Sequence, residues 1–235
     1  MHCFINFLLY NLITIPMQIQ YYGHSCFKIT TKPAGRGQDD VVIFIDPFDK
    51  SVGLRPPQGN ANLVLVTHDH PDHNNVEALK GEPSVIDIPG EYSVKGVNIM
   101  GISAYHDAKE GAERGQNTIF VLESEEMRIC HLGDLGHDLT EKQLEVINGV
   151  DILMVPIGGK YTIDGEKACD VVRKIEPNMV IPMHYKINGS TVDVADEKKF
   201  CSEMGNCPKD KISKFSIKKK DLEEKNMEVV LMGIE

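Results

Sequence analysis

Thr67-His68-Asp69-His70-Pro71-Asp72-His73 follows directly on the apolar run Leu63-Val64-Leu65-Val66. That run is short, β-branched and leucine-rich, which predicts a strand buried on both faces. Side chains two apart in extended backbone share a side, so His68 and His70 are expected to point the same way. Pro71 cannot continue an ordinary hydrogen-bonded strand, and Asp72-His73 then falls at a turn with another direction open to it. Two histidines aimed one way and an Asp/His pair aimed another suit two adjacent metal ions better than one. A histidine-rich polar loop is the plainer alternative, and the buried strand leading into the cluster argues against it.

Candidate ligands recur from His68 as far as His184, and a single site must gather them, so 17–235 is expected to be one domain. A hydrophobic content of 41 % and a charged content of 26 % are ordinary for a globular chain that buries its own core. The formal charge of −10 disfavours broad binding to nucleic-acid phosphates. Lys218-Lys219-Lys220 is followed at once by Asp221, Glu223 and Glu224 and reads as solvated surface. The cysteines form no CxxC pair, and a reducing, cytoplasmic setting is expected. Cys201 and Cys207 are near enough to bridge, with nothing beyond proximity to support it. Residues 1–16 are apolar without a basic start or a small-residue cleavage site, and too interrupted to span a bilayer. They read as an extension outside the core, and no membrane partner is expected.

Residues 19–29 suit a strand broken at Gly23, and 41–45 a buried strand ended by Asp46-Pro47. A turn is expected over 32–40, a loop over 51–62 and a short helix over 74–80. Apolar runs at 85–88, 92–94, 97–104, 118–123 and 127–132 read as an antiparallel meander. Thr140 to Gln143 matches a capping box that opens a helix closed by Asn148-Gly149. After a strand at 151–156, Asp164 caps a helix with Ala168, Val171, Val172 and Ile175 on one face, and Pro177 stops it. A buried strand at 179–181, a helix over 193–204 and a last strand at 228–232 complete the pattern.

The cluster resembles the HxHxDH signature of the metallo-β-lactamase superfamily. Gly23-His24-Ser25, Ile45-Asp46-Pro47, Ala104-Tyr105-His106-Asp107, Leu132-Gly133-Asp134-Leu135-Gly136 and Pro182-Met183-His184-Tyr185 resemble its small zinc-dependent hydrolase branch, related to ascorbate-6-phosphate lactonases. The matches keep the family's order and cover roughly 17–235. The resemblance implies an α+β fold, a four-layer αβ/βα sandwich of two mixed sheets with helices on the outer faces. It also implies a ligand set in which His68, His70 and His106 hold one ion. Asp72, His73 and His184 would hold the other, with Asp134 bridging both.

Donors rich in histidine and free of thiolate suit Zn²⁺ and tolerate Mn²⁺ or Fe²⁺. Flavin-linked diiron relatives usually carry Glu where this chain has His70 or its neighbour, which points away from redox iron chemistry. Two divalent ions against Asp72 and Asp134 leave a net positive site, expected to activate a bridging hydroxide and favour a small anionic ester, lactone or phosphoester. Asp134 and Asp72 are the expected catalytic carboxylates. His24 and His131 are candidates for lining the pocket and donating to substrate, packed histidine being the alternative for each. Asp46 could orient a ligand, and Lys160 and Tyr161 could reach an anion, though a turn or loop role is open for all three. His2 and His137 belong to no constellation. A phosphodiesterase or nuclease is the second functional reading, and a metal-binding protein without turnover the third.

Overall fold

The computed structural model describes residues 16–33 and 39–234. The apolar start, apart from Pro16, and the middle of the 32–40 turn lie outside the described residues. Two mixed sheets face one another. In the first, strands Lys214–Ile217, Met17–Gly23, Cys26–Thr31 and Val41–Ile45 run antiparallel in that order, and Leu63–Leu65 and Ser84–Ile86 continue it in parallel. The second sheet runs Glu228–Val229, Met179–Met183, Ile152–Pro156, Met127–His131, Gln116–Ser124, Val97–Tyr105 and Gly90–Val94. Its first four strands are parallel and the rest form the meander.

Alternation along each strand decides which side a residue serves. Ile43, Ile45, Leu63 and Leu65 join Phe120, Ile129, Met154 and Ile181 in a core between the sheets. Phe44, Val64 and Val66 point the other way, into a second cluster shared with Phe48 and Val52 of the following loop. Helix Gly165–Ile175 belongs to that cluster through Ala168, Val171, Val172 and Ile175, the face its sequence spacing predicts. Thr140 and Gln143 close the expected capping box on helix Glu141–Ile147, and Asp164 accepts from Lys167 N at the next helix.

Several elements differ from expectation. Ser84–Ile86 is not part of the meander; it edges the first sheet, beside Leu63–Leu65. Residues 74–80 form a 3₁₀ turn, Val76–Ala78, and a two-residue strand. The last helix covers only Lys198–Met204, because Ala195 is held between Gly158 O and Lys186 N in extended pairing. Between its parallel strands the first sheet is crossed by 3₁₀ turns instead of long helices, in segments interrupted by Pro47, Pro56, Pro57, Pro71 and Pro83. Cys201 and Cys207 form a disulfide, with Cα atoms 5.3 Å apart. Among the described residues no helix is long and apolar enough to cross a membrane.

The strands Val41–Ile45, Leu63–Leu65, Val97–Tyr105, Met127–His131 and Met179–Met183 all end toward one rim. Asp46, the 67–73 segment, His106, Asp134 and His184 follow directly on those ends. Carboxyl ends of strands are where sheet proteins of this kind hold ligands.

Candidate metal centre

Asp46 organises the first part of the site. Its Oδ1 accepts from Thr67 N at 2.8 Å, and its Oδ2 accepts from Thr67 Oγ1 at 2.8 Å and His73 Nδ1 at 2.9 Å. Because the Thr67 hydroxyl donates to Asp46, the contact of 2.9 Å between Thr67 Oγ1 and His68 Nδ1 is one in which the imidazole donates. Both imidazoles therefore keep a proton on Nδ1 and turn Nε2 toward the site. His68 Nε2 is buried with no hydrogen-bond partner.

Three clusters of metal-ligating atoms converge: His68, His70 and His106; His24, His73 and His184; and His68, His73 and Asp134. Asp134 Oδ2 lies 3.3 Å from His106 Nε2, 3.4 Å from His73 Nε2 and 3.1 Å from His184 Nε2. Its other oxygen accepts from Ser25 Oγ at 3.3 Å, and its backbone N donates to Asn117 Oδ1 at 3.0 Å. Asn117 also donates to Leu132 O, so one side chain fixes the whole Gly133-Asp134 turn. Gly133 adopts φ 57° there, and a Cβ on it would stand 2.2 Å from that amide.

His24 sits in the two-residue turn between Met17–Gly23 and Cys26–Thr31, at φ 56°. Its carbonyl accepts from His184 N at 2.7 Å and from Tyr21 Oη at 2.7 Å. Its Nε2 is 3.1 Å from both His73 Nε2 and Asp72 Oδ2. His106 is held by Gly115 O, and Asp107 beside it accepts from the backbone of Lys109, Gly111, Glu113 and Arg114. Burial opposes ionisation of Asp107, but those four donors prevail and hold its carboxyl down at about 2.

The electrostatics favour a cation. Burial, with the His184 and His73 rings adding to it, pulls His24 down to about 4. Burial likewise lowers His68 and His106 against the opposing pull of Asp134. His73 goes the other way: burial would lower it, but Asp134 and Asp46 outweigh burial and raise it well above the usual histidine range. Asp134 and Asp72 are held below the usual carboxylate range, against burial, by the imidazoles around them. A buried point flanked by carboxylates calls for positive charge, and of the rings around it His24, His68 and His106 are poor proton carriers.

The donors fit divalent metal. Neighbouring ligand atoms 3.1–3.4 Å apart match the edge of a coordination shell with bonds of about 2.0–2.2 Å. The free thiols Cys26, Cys130 and Cys169 are buried, and none joins the clusters found among the described residues.

Other candidates fall outside these clusters. His131 is fully buried, with Nε2 donating to Ser25 O at 2.9 Å and Nδ1 accepting from Gly133 N at 3.1 Å. It ties the His24-Ser25 turn to the Asp134 turn and has no nitrogen left for a substrate. His137 accepts from Tyr105 N. Lys160 pairs with Asp193 at the surface, while Lys160 and Arg114 both lie over the Tyr161 ring. Ser25 and Asn117 have no part in the site on sequence alone: Ser25 acts across 109 residues of chain, and Asn117 holds the Asp134 turn from the neighbouring strand, 17 residues away.

Residues 18–184 match the family model described as a β-lactamase superfamily domain. A UPF0173 protein from Pyrococcus abyssi is 31 % identical over 74 % of this chain and 85 % of its own length. A UPF0173 metal-dependent hydrolase from Thermoplasma acidophilum is 29 % identical over 80 % of this chain and 91 % of its own. The crystal structure of a Thermotoga maritima protein, assigned as a zinc-dependent hydrolase of the metallo-β-lactamase superfamily, superposes with a TM-score of 0.72 at 32 % identity, covering 93 % of this chain and 100 % of that one. The chain therefore belongs to the metallo-β-lactamase superfamily, as one of its metal-dependent hydrolases.

Proposed function

We propose that the protein hydrolyses a small anionic ester, lactone or phosphoester at a pair of divalent ions, zinc being the ion its donors suit best. The observation that carries this reading is Asp134, whose Oδ2 lies within 3.4 Å of ring nitrogens from both histidine sets. Ions held there would polarise the scissile carbonyl or phosphoryl oxygen and acidify a water.

The chain's own residues supply the rest. Asp46 and Thr67 take the Nδ1 protons of His73 and His68, so that both rings turn Nε2 inward, where it would bind an ion. Asp134 serves both histidine sets. Ser25 and Asn117 hold its carboxylate and its backbone in place. Asp72, with a side chain 33 % exposed, is the carboxylate nearest solvent. It stands 3.1 Å from His24, and its depressed pKa keeps it an anion that would face the second ion. Two carboxylates against two divalent ions leave excess positive charge, which attracts an anion.

A cavity of about 530 Å³ opens beside His68 and His70, walled by Ile88 and Pro89 and by Arg114. Arg114 is the cation among its lining residues and rests over the Tyr161 ring at 5.6 Å. Asp69 and Asp87 also line it, so an anionic group would have to sit on the Arg114 side, next to the ions, with a short apolar part against Ile88 and Pro89. The net charge of −10 favours small substrates over nucleic acid.

A screen of metal-loaded and metal-stripped protein over phosphodiesters, lactones, thioesters and β-lactams tests the reading. Turnover of one class that disappears on stripping supports it; no turnover in either state favours a binding protein. On any anionic substrate found, Arg114→Gln should raise KM about tenfold with kcat little changed, the signature of lost uniform binding.

A further inference from the structure

We propose that His24 is itself a metal-coordinating residue, completing a three-imidazole second site with His73 and His184. The pair is then asymmetric: three imidazoles gather at one position, and a cavity borders the other. This rests on the dinuclear reading above and goes beyond the ligand set that the sequence motifs imply, which leaves His24 out.

The geometry points to coordination over pocket lining. His24 Nε2 and His73 Nε2 face each other at 3.1 Å, and the His24 ring lies 4.3 Å from that of His184. His73 gives its Nδ1 proton to Asp46, so Nε2 is the ring atom left for a metal. His24 is 4 % exposed, buried among the other histidines. Its backbone is held at φ 56°, a conformation that a residue with a Cβ adopts at some cost. Hydrogen bonds from His184 N and Tyr21 Oη to its carbonyl hold it there. His184 adopts a similar φ of 52°. The chain thus holds two adjacent histidines in left-handed backbone, tied to each other, so that both rings meet His73.

The donors divide unequally as a result. His24, His73 and His184 converge on the second position, with Asp72 3.1 Å from His24 Nε2; His68, His70 and His106 converge on the first, and Asp134 joins His68 and His73 between them. A shell filled by protein holds its ion, and a shell with a gap admits a ligand. The cavity of about 530 Å³ is lined by His68 and His70 of the first position.

Metal-free protein titrated with Zn²⁺ and followed through its histidine ring nitrogens by NMR tests this on the unmutated chain. The first equivalent should move His24 Nε2, with His73 and His184, to metal-bound shifts; the second should move His68, His70 and His106. A His24 ring that keeps free-imidazole shifts through two bound equivalents overturns the proposal and leaves the dinuclear reading intact. Binding of a single equivalent overturns both. His24→Gly is the matching variant, because glycine accepts φ 56° without strain and the turn should persist. Its tighter site should weaken by at least about tenfold against a competing chelator, and millimolar imidazole should restore it. Unchanged affinity at both sites would again exclude His24 as a ligand.

Discussion

Asp46 Oδ2 accepts from His73 Nδ1 at 2.9 Å, with both side chains wholly buried, and the same carboxylate takes the amide and hydroxyl of Thr67. One residue thereby sets the orientation of His73 and, through Thr67, of His68. Asp46→Asn should lower metal affinity by about 10–100-fold, the range found when such a partner of a ligating histidine is removed. Asparagine tolerates the φ of 48° at this position, so backbone strain is not the cause being tested. Competition with a chromophoric chelator measures it, and unchanged affinity would show that Asp46 only ends a strand.

Gly136 lets the Asp134 loop lie against the His106 loop. A Cβ at this position would stand 2.4 Å from His106 C and 2.5 Å from Asp107 N. The obstacle is backbone, which cannot swing aside as a side chain would. Gly136→Ala should destabilise the protein by roughly 1–3 kcal/mol, the usual cost of overpacking. It should also weaken the site containing His106 more than the site containing His184. Denaturant titration and site-resolved metal binding check the two halves separately.

His131 should behave as scaffold. Removing its ring leaves Ser25 O and Gly133 N buried without partners. His131→Ala should cost roughly 2–4 kcal/mol on that account. Metal-replete His131→Ala should nevertheless retain as much metal as the unmutated protein. A variant of normal stability that has lost turnover would give His131 the chemical role that its hydrogen bonds argue against.

The cluster from His68 to His73 was legible because its ligands are contiguous and a buried strand aims them. His106, Asp134 and His184 were legible only as motifs, since nothing local says that separate strand ends meet at one rim. His24 was placed at the pocket, but its relation to His73 depends on a hairpin turn meeting His184 across 160 residues of chain. The run 85–88 reads as part of the meander, yet its strand pairs with Leu63–Leu65, because a short apolar run carries no information about its partner strand. Lys214–Ile217 went unread because half its residues are exposed and its pairing with Met17–Gly23 is wholly non-local.

The central claim is a pair of ions joined through Asp134, and the metal-to-protein ratio tests it most directly. Elemental analysis should find two ions per chain in metal-replete protein after removal of free metal. Asp134→Ala, prepared the same way and checked for intact fold by circular dichroism, should hold fewer than two and lose turnover by orders of magnitude. One ion in the unmutated protein, or two ions with near-normal turnover in Asp134→Ala, would contradict the account.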